Sequence, residues 1–223
     1  MYSILNTTPA DIKEFNYMQK DYLAWLNELA TALGSVVKEN VLSLSPEIGA
    51  GYSASFFIEE GCTACVNNFQ LSEEYHFNRT PSDNFGVIIY LYHFQTLDRV
   101  HYKLEEHAAF LDIGSHFELR VTNSQTSQQL KFGKTTHVKG ISIFLENEWI
   151  SRNLSHRLTD VFNYLQKVNY FNQFVKIDTS NKIAIEPQFD YAELENEMLN
   201  KKVWVNKNEL VYFLENIPGL AQG

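Results

Sequence analysis

Two segments of this 223-residue chain are apolar at both parities: "GVIIYLYHF", Gly86 to Phe94, and "GISIFL", Gly140 to Leu145. Both are short runs rich in β-branched and aromatic residues, the composition of a strand. Side chains alternate across a strand. A strand apolar on both parities is therefore expected to be covered on both faces. Neighbouring segments alternate instead. Tyr52, Ala54, Phe56 and Ile58 alternate with Ser53, Ser55 and Glu59, and Phe117, Leu119 and Val121 with Glu118, Arg120 and Thr122. That period of two predicts strands with one wet face. Turn signals separate the segments: "EEG" at Glu59 to Gly61, "TPSDNFG" at Thr80 to Gly86, "TNSQTSQQ" at Thr122 to Gln129 and "FGK" at Phe132 to Lys134. Many short strands at this spacing point to a barrel or sandwich, not a parallel sheet.

Helical patterns flank the strands. Thr8 is a good N-cap, Pro9 suits the first helical position, and Asp11 falls in the first turn. Ile12, Phe15, Met18, Tyr22, Trp25, Leu29 and Leu33 recur at spacings of three and four, with Gly34 placed as a C-cap glycine. After the strands, Leu154, Leu158, Val161, Leu165 and Val168 form a second stripe. Asp190 with Glu193 reads as a capping box opening a helix through Met198. Asn206 with Glu209 reads as another, before Leu210, Phe213, Leu214 and Ile217, and Pro218–Gly219 stop it. The expected organisation is a helical arm over 1–35, a β block over 36–150 and a helical segment over 151–223, an α+β chain. At 44% hydrophobic and 20% charged residues it can bury a core without staples.

The stretch "EEGCTACVNNFQL" holds a Cys-x-x-Cys. On a strand, Cys62 and Cys65 would point to opposite faces, with Cα atoms about 10 Å apart. A disulfide needs roughly 4.4–6.8 Å, and a shared zinc needs both sulfurs about 2.3 Å from one ion. The pair is therefore read as two buried or half-buried thiols. The seven histidines are scattered; His76-Phe77-Asn78 lacks the second histidine of a metal-binding pair. The paired acids Glu59–Glu60, Glu73–Glu74 and Glu105–Glu106 sit at turns or strand ends, where carboxylates are normally solvated. No nucleophile elbow, phosphate-cradling glycine loop or dinucleotide fingerprint is present. No catalytic residue, metal or cofactor is assigned.

The charge is −9, from 27 acidic and 18 basic residues. That opposes binding to a phosphate backbone, which depends on clustered Lys and Arg. The basic residues are dispersed: Lys131 and Lys134 near a turn, Arg152 and Arg157 on a helix, Lys201, Lys202 and Lys207 among glutamates. "MYSILNTTPADIKEF" has no basic region followed by an apolar run, and no apolar stretch reaches membrane-spanning length. With two cysteines only, the expected setting is the reduced cytoplasm, and the sequons at Asn6, Asn78 and Asn153 read as chance matches.

The block with "FFIEEGCTACVNNFQLSEEYHFNRTPSDNFGVIIYLY", then "LKFGKTTHVKGISIFLENEWI", then amphipathic helices, resembles the N-terminal sensor half of AraC-type transcriptional regulators. The order matches: a strand of the type "VKGISIFL" ends the β block, and Trp149-Ile150 opens the helices. The resemblance covers roughly Val41 to Ile217 and rests on patterns of hydrophobicity and glycine. It implies a cupin-like antiparallel β-barrel (jelly roll) between an N-terminal helix and a C-terminal helical segment. It also implies a small-molecule effector in the barrel, a homodimer through the C-terminal helices, and DNA contact only through a helix-turn-helix domain. No such domain is visible before Gly223, so residues 1–223 alone are expected not to bind DNA.

Candidate ligand-binding residues are Tyr52, Phe56, Phe69, His76, Tyr90 and Tyr92; core packing is the commoner role for any one of them. "VIIYLYH" leaves the inward parity open. The alternative is a metal-dependent cupin enzyme, a dioxygenase or isomerase. Metal-binding cupins carry a His-x-His pair in the first motif, and the chain lacks one. A third option is an interaction protein whose barrel is filled by its own side chains.

Overall fold

The structure, a computed structural model, describes residues 13–97, 100–104, 107–111, 113–167, 175–177 and 207–215. Five strands form one sheet: β1 (Lys13–Met18), β5 (Tyr75–Thr80), β10 (Gln128–Phe132), β7 (Val100–Leu104) and β8 (His107–Leu111), in that spatial order. The second sheet has seven strands. Its order is β12 (Val175–Ile177), β9 (Gly114–Asn123), β6 (Gly86–Thr96), β11 (His137–Glu146), β4 (Cys62–Leu71), β3 (Gly49–Glu59) and β2 (Val41–Ser43). Every pairing is antiparallel except that of β1 with β5. The architecture is a two-layer sandwich. The barrel expected from the sequence is not closed, because no described strand pairing joins one sheet to the other.

The seven-stranded sheet is covered on both faces, as the two doubly apolar runs require. On β6, Ile88, Tyr90, Tyr92 and Phe94 face the other sheet, where they join Phe69, Phe77, Leu130, Phe132 and Phe144. Val87 and Ile89 face the opposite way. With Ala64, Val66, Val121, Ile141, Ile143 and Leu145 they meet α2 (Asn147–Asn153), α3 (His156–Lys167) and α4 (Lys207–Glu215) through Trp149, Ile150, Leu158, Phe162, Leu210 and Leu214. Glu215 holds the start of α3, accepting from the Ser155 amide at 2.8 Å and its hydroxyl at 2.9 Å. α2 starts at Asn147, so the strand block ends slightly earlier than the sequence pattern placed it.

The N-terminal helix is shorter than its periodicity predicted. Phe15 and Tyr17 lie on β1, buried in alternation with exposed Glu14 and Asn16, and the helix α1 is Tyr22–Ala32. Pairing with the otherwise open edge of β5 outweighs helix propensity here. The true N-cap is Asp21, whose carboxylate accepts from the Ala24 amide at 2.8 Å. Gly34, at φ +63°, does end the helix. Thr8 to Ile12, the Asp190–Met198 helix, Val168, Asn206 and Ile217 lie outside the described residues. α1 closes one side of the sandwich, packing on β1, β3 and β4 with Tyr22, Trp25, Leu26 and Leu29 in the inner core.

Gly140, on the central strand β11, faces this core directly under Tyr92. A Cβ there would lie 2.0 Å from Tyr92 Cδ1 and 2.4 Å from the Leu91 carbonyl oxygen. The second obstacle is backbone of the paired strand and cannot turn aside. Gly140→Ala is expected to lower unfolding free energy by about 1–3 kcal/mol or more, read as a fall in the urea midpoint. A variant as stable as the parent would contradict this packing.

Candidate functional site

Four polar residues of β3 and β9 expected to be wet are buried. Ser53 and Ser55 on β3, and Arg120 and Thr122 on β9, turn into the sandwich, while Tyr52, Phe56 and Val121 turn to the helical layer. The result is an inner wall that mixes aromatic rings with polar groups.

At its centre is Tyr90. Its hydroxyl accepts from Arg79 Nη1 at 3.1 Å, and the Arg120 guanidinium lies 4.4 Å from its ring centroid. Arg120 is 0% exposed and Arg79 2%. A buried guanidinium is tolerated when its fork is occupied. Arg79 reaches from β5 across the sandwich and onto the β9–β10 turn. Nε donates to the Thr126 carbonyl at 3.1 Å; Nη2 donates to Thr122 Oγ1 at 3.3 Å and to the Asn123 and Thr126 carbonyls at 3.2 and 3.0 Å. It is a clamp between strand and turn that also fixes Tyr90. Beside it, opposite in register on β10, stands Gln128. Gln128 is 1% exposed, and among the described residues neither its Nε2 nor its Oε1 has a hydrogen-bond partner. Among the described residues no aspartate or glutamate is buried.

A second chain of bonds runs along β3, β4, β6 and β11. Ser53 Oγ donates to Asn67 Oδ1 at 2.7 Å, Asn67 Nδ2 donates to the Tyr92 hydroxyl at 3.2 Å, and that hydroxyl meets Ser142 Oγ at 2.5 Å. Burial pushes the Tyr92 and Tyr22 phenols well above their ordinary value, with the neighbouring Tyr90 adding to it. Phe69, Phe77 and Phe94 ring Phe132 at centroid distances of 6.2, 5.3 and 6.2 Å, completing an aromatic floor.

Of the six sequence candidates, the structure brings Phe69, Tyr90 and Tyr92 together in this interior. Tyr52 and Phe56 lie on the other face of the sheet, half-buried against the helical cluster. His76 faces outward from β5. Its Nε2 lies 3.1 Å from Glu74 Oε1, which Lys131 also approaches at 2.9 Å. Slight burial works against ionisation of Glu74, but Lys131 and His76 outweigh it and hold the carboxyl below its ordinary value. Sequence reasoning missed Arg79, Arg120 and Gln128. An arginine on a strand reads as solvated, and only the clamp of Arg79 across three strands and a turn makes it otherwise. Among the described residues no group of three or more His, Cys, Asp or Glu is arranged to hold a metal ion.

Cys62 faces the helical layer and Cys65 the interior, as strand geometry requires. Both are free and buried, and burial raises both thiol pKa values far above the ordinary range. Little thiolate forms at pH 8, so a thiol reagent is expected to label the native protein only as fast as it opens, and both thiols at once in urea. Immediate labelling of either thiol in the native state would contradict their placement.

No family model matches the sequence, and no curated protein matches it. Solved structures similar in part include a cupin protein from Bacteroides fragilis, at 9% identity and TM-score 0.29, covering 47% of this chain and 80% of that one. An HTH_3 family transcriptional regulator from Vibrio cholerae aligns at 15% identity and TM-score 0.30, over 55% and 71%. A salicylate 1,2-dioxygenase from Pseudoaminobacter salicylatoxidans aligns at 10% identity and TM-score 0.25, over 59% of this chain and 34% of that chain. At these values they assign neither family nor activity. Among the described residues no helix is long and apolar enough to cross a membrane.

Proposed function

We propose that this chain is a non-catalytic, cytoplasmic small-molecule sensor module of the AraC type, with its effector received inside the sandwich. One observation carries the proposal: strands β4, β6, β9 and β11 present a polar, aromatic wall to the interior and an apolar face to the helices. A core built only for stability gains nothing from burying Arg120, Asn67, Gln128 and Ser142. Polar groups set among aromatic side chains are what a ligand site requires. The same strands carry the helical layer on their backs, so a ligand that shifts Tyr90 or Tyr92 pushes on the elements that seat α2, α3 and α4. Phe69, Tyr90 and Tyr92 are the sequence candidates that fit this site.

Dimerisation through the helical segment and DNA contact through a separate domain complete the proposal. Leu158, Leu210 and Leu214 are consumed in covering the sheet, so the dimer would use other surfaces of these helices. Sedimentation at tens of micromolar tests it, and a monomer contradicts it.

The sensor reading itself is tested by a thermal-shift screen of several hundred metabolites, charged and neutral. A ligand that binds only the folded state raises Tm by mass action, about 2.7 kcal/mol at a hundred times its Kd. A saturable shift that Tyr92→Phe or Phe69→Ala weakens supports interior binding. No shift from any compound, or a stoichiometric tightly bound transition metal with turnover, overturns it.

A further inference from the structure

We propose that α4 is a releasable clasp, helical only while docked, whose release uncaps α3 and opens the apolar face of the seven-stranded sheet at Cys62. The inference goes beyond the sensor reading, since it concerns the helical layer whatever the interior receives. The charges on α4 are the first ground. The helix has nine residues, too few to be stable alone in water. It ends in Glu215, with no basic residue in its last turn, and a carboxylate there opposes the helix's own dipole. The first turn, Lys207-Asn208-Glu209, carries no net charge to offset it. What disfavours α4 alone favours it in place. Glu215 accepts from the Ser155 amide and hydroxyl at 2.8 and 2.9 Å, which sets its charge at the N-terminus of α3, where the dipole attracts it. Ser155 Oγ in turn accepts from the Leu158 amide at 3.4 Å, in the first turn of α3. At the other end Lys207 Nζ lies 3.3 Å from Glu59, the last residue of β3. The clasp closes at two points, on two different elements.

The second and independent ground is the contrast between α4 and what it covers. Leu210 and Leu214 are its buried anchors, in one cluster with Cys62, Trp149 and Phe162. Its end contacts are partly exposed, and ion pairs of that kind contribute little. Beneath it, β6 and β11 are paired along their length on both sides. The element held by fewer buried contacts opens at lower cost than the ladder under it. An order–disorder step of this kind gives the helical layer two discrete arrangements. Cys62 and Cys65 distinguish this local opening from global unfolding. They stand three residues apart on β4, Cys62 in the cluster with α4 and Cys65 in the inner core. Cys62 is close enough to Glu59 for that carboxylate to add to the rise in its thiol pKa, so it stands beside the point where Lys207 attaches.

The experiment uses two single-thiol chains, Cys65→Ala to follow Cys62 and Cys62→Ala to follow Cys65. Each is exposed to iodoacetamide in native buffer, and labelling is followed by mass. Cys62 is expected to label on the order of tenfold faster than Cys65, since local opening costs less than global opening. Glu215→Gln combined with Lys207→Met is expected to speed Cys62 a further several-fold and to leave Cys65 unchanged. Gly140→Ala, which strains the inner core, is the global control and should speed both thiols alike. Equal rates for the two thiols, or clasp substitutions that speed both or neither, would overturn the proposal. Should either cysteine substitution disturb folding, native-state hydrogen exchange on the unsubstituted chain decides the matter. The amides of α4 are then expected to exchange faster than those of β6 and β11, and an α4 that exchanges as slowly as β11 would show that it opens only with the whole protein. The metabolite screen tests the sensor reading separately, and neither result depends on the other.

Discussion

Replacing Trp149 by alanine is expected to destabilise the protein by about 3–5 kcal/mol, a large share of the roughly 5–15 kcal/mol that holds a domain together. Trp149 is fully buried where α2, the β3–β4 turn and α4 meet. Its indole N–H donates to the Glu59 carboxylate, which also pairs with Lys207 on α4 at 3.3 Å. Its Cβ lies against Gly61, where an added methyl would come within 3.1 Å, and the Gly61 carbonyl accepts from the Glu146 amide at 2.8 Å. Alanine therefore opens a cavity and leaves Glu59 without its indole donor. Phenylalanine should cost less, mainly the charge-assisted hydrogen bond at about 1.5–3 kcal/mol. Urea unfolding checks this: the midpoint should fall with little change in m. A loss below about 1 kcal/mol for alanine would mean that the helical layer is not seated as described.

Alkaline pH is expected to unfold the protein steeply. Tyr17, Tyr22 and Tyr92 are buried, and burial, reinforced by Tyr90, raises all three phenols above the ordinary 10.0. In the unfolded chain they titrate near 10. Above that pH the unfolded state binds fewer protons than the folded one, so the stability is complete below pH 10 and is lost as pH rises toward the raised values. Each group contributes a slope of about 1.36 kcal/mol per pH unit, so three contribute about 4. Cys62 and Cys65 act in the same sense from their ordinary value of 9.0. Urea midpoints between pH 8 and pH 11 should therefore fall progressively faster. Tyr17→Phe removes one titrating group and should flatten the slope by about 1.4 kcal/mol per unit. A stability curve level through pH 11 would show that these hydroxyls are not buried.

Strand and helix content was legible wherever a period was long and uninterrupted. The amphipathic stripes around Leu158 and Leu210 gave α3 and α4, and the turn signals bracketed β4, β6, β10 and β11. Period alone misled at Phe15 and Met18, which fit a helical spacing with Tyr22 and Trp25. Phe15 and Tyr17 equally fit a strand, and the open edge of β5 decided between the two. His76 was singled out for its chemistry, yet its parity on β5 turns it to solvent while Tyr75, Phe77 and Arg79 turn inward.

Alternation along a strand is local geometry, so the cover on both faces of β6 and β11 and the opposed directions of Cys62 and Cys65 were legible from residue order. Residue order could not determine which parity is interior. On β3 and β9, Tyr52, Phe56 and Val121 meet the helical layer, while Ser53, Ser55, Arg120 and Thr122 turn into the sandwich toward the second sheet. Polarity alone makes the opposite assignment. Arg79 shows the reason: its acceptors lie 11, 43, 44 and 47 residues away. A guanidinium is stable in a core only when such distant groups converge on it. That convergence belongs to the tertiary structure, and it turns a strand residue that reads as solvated into the clamp that fixes Tyr90 at the centre of the candidate site.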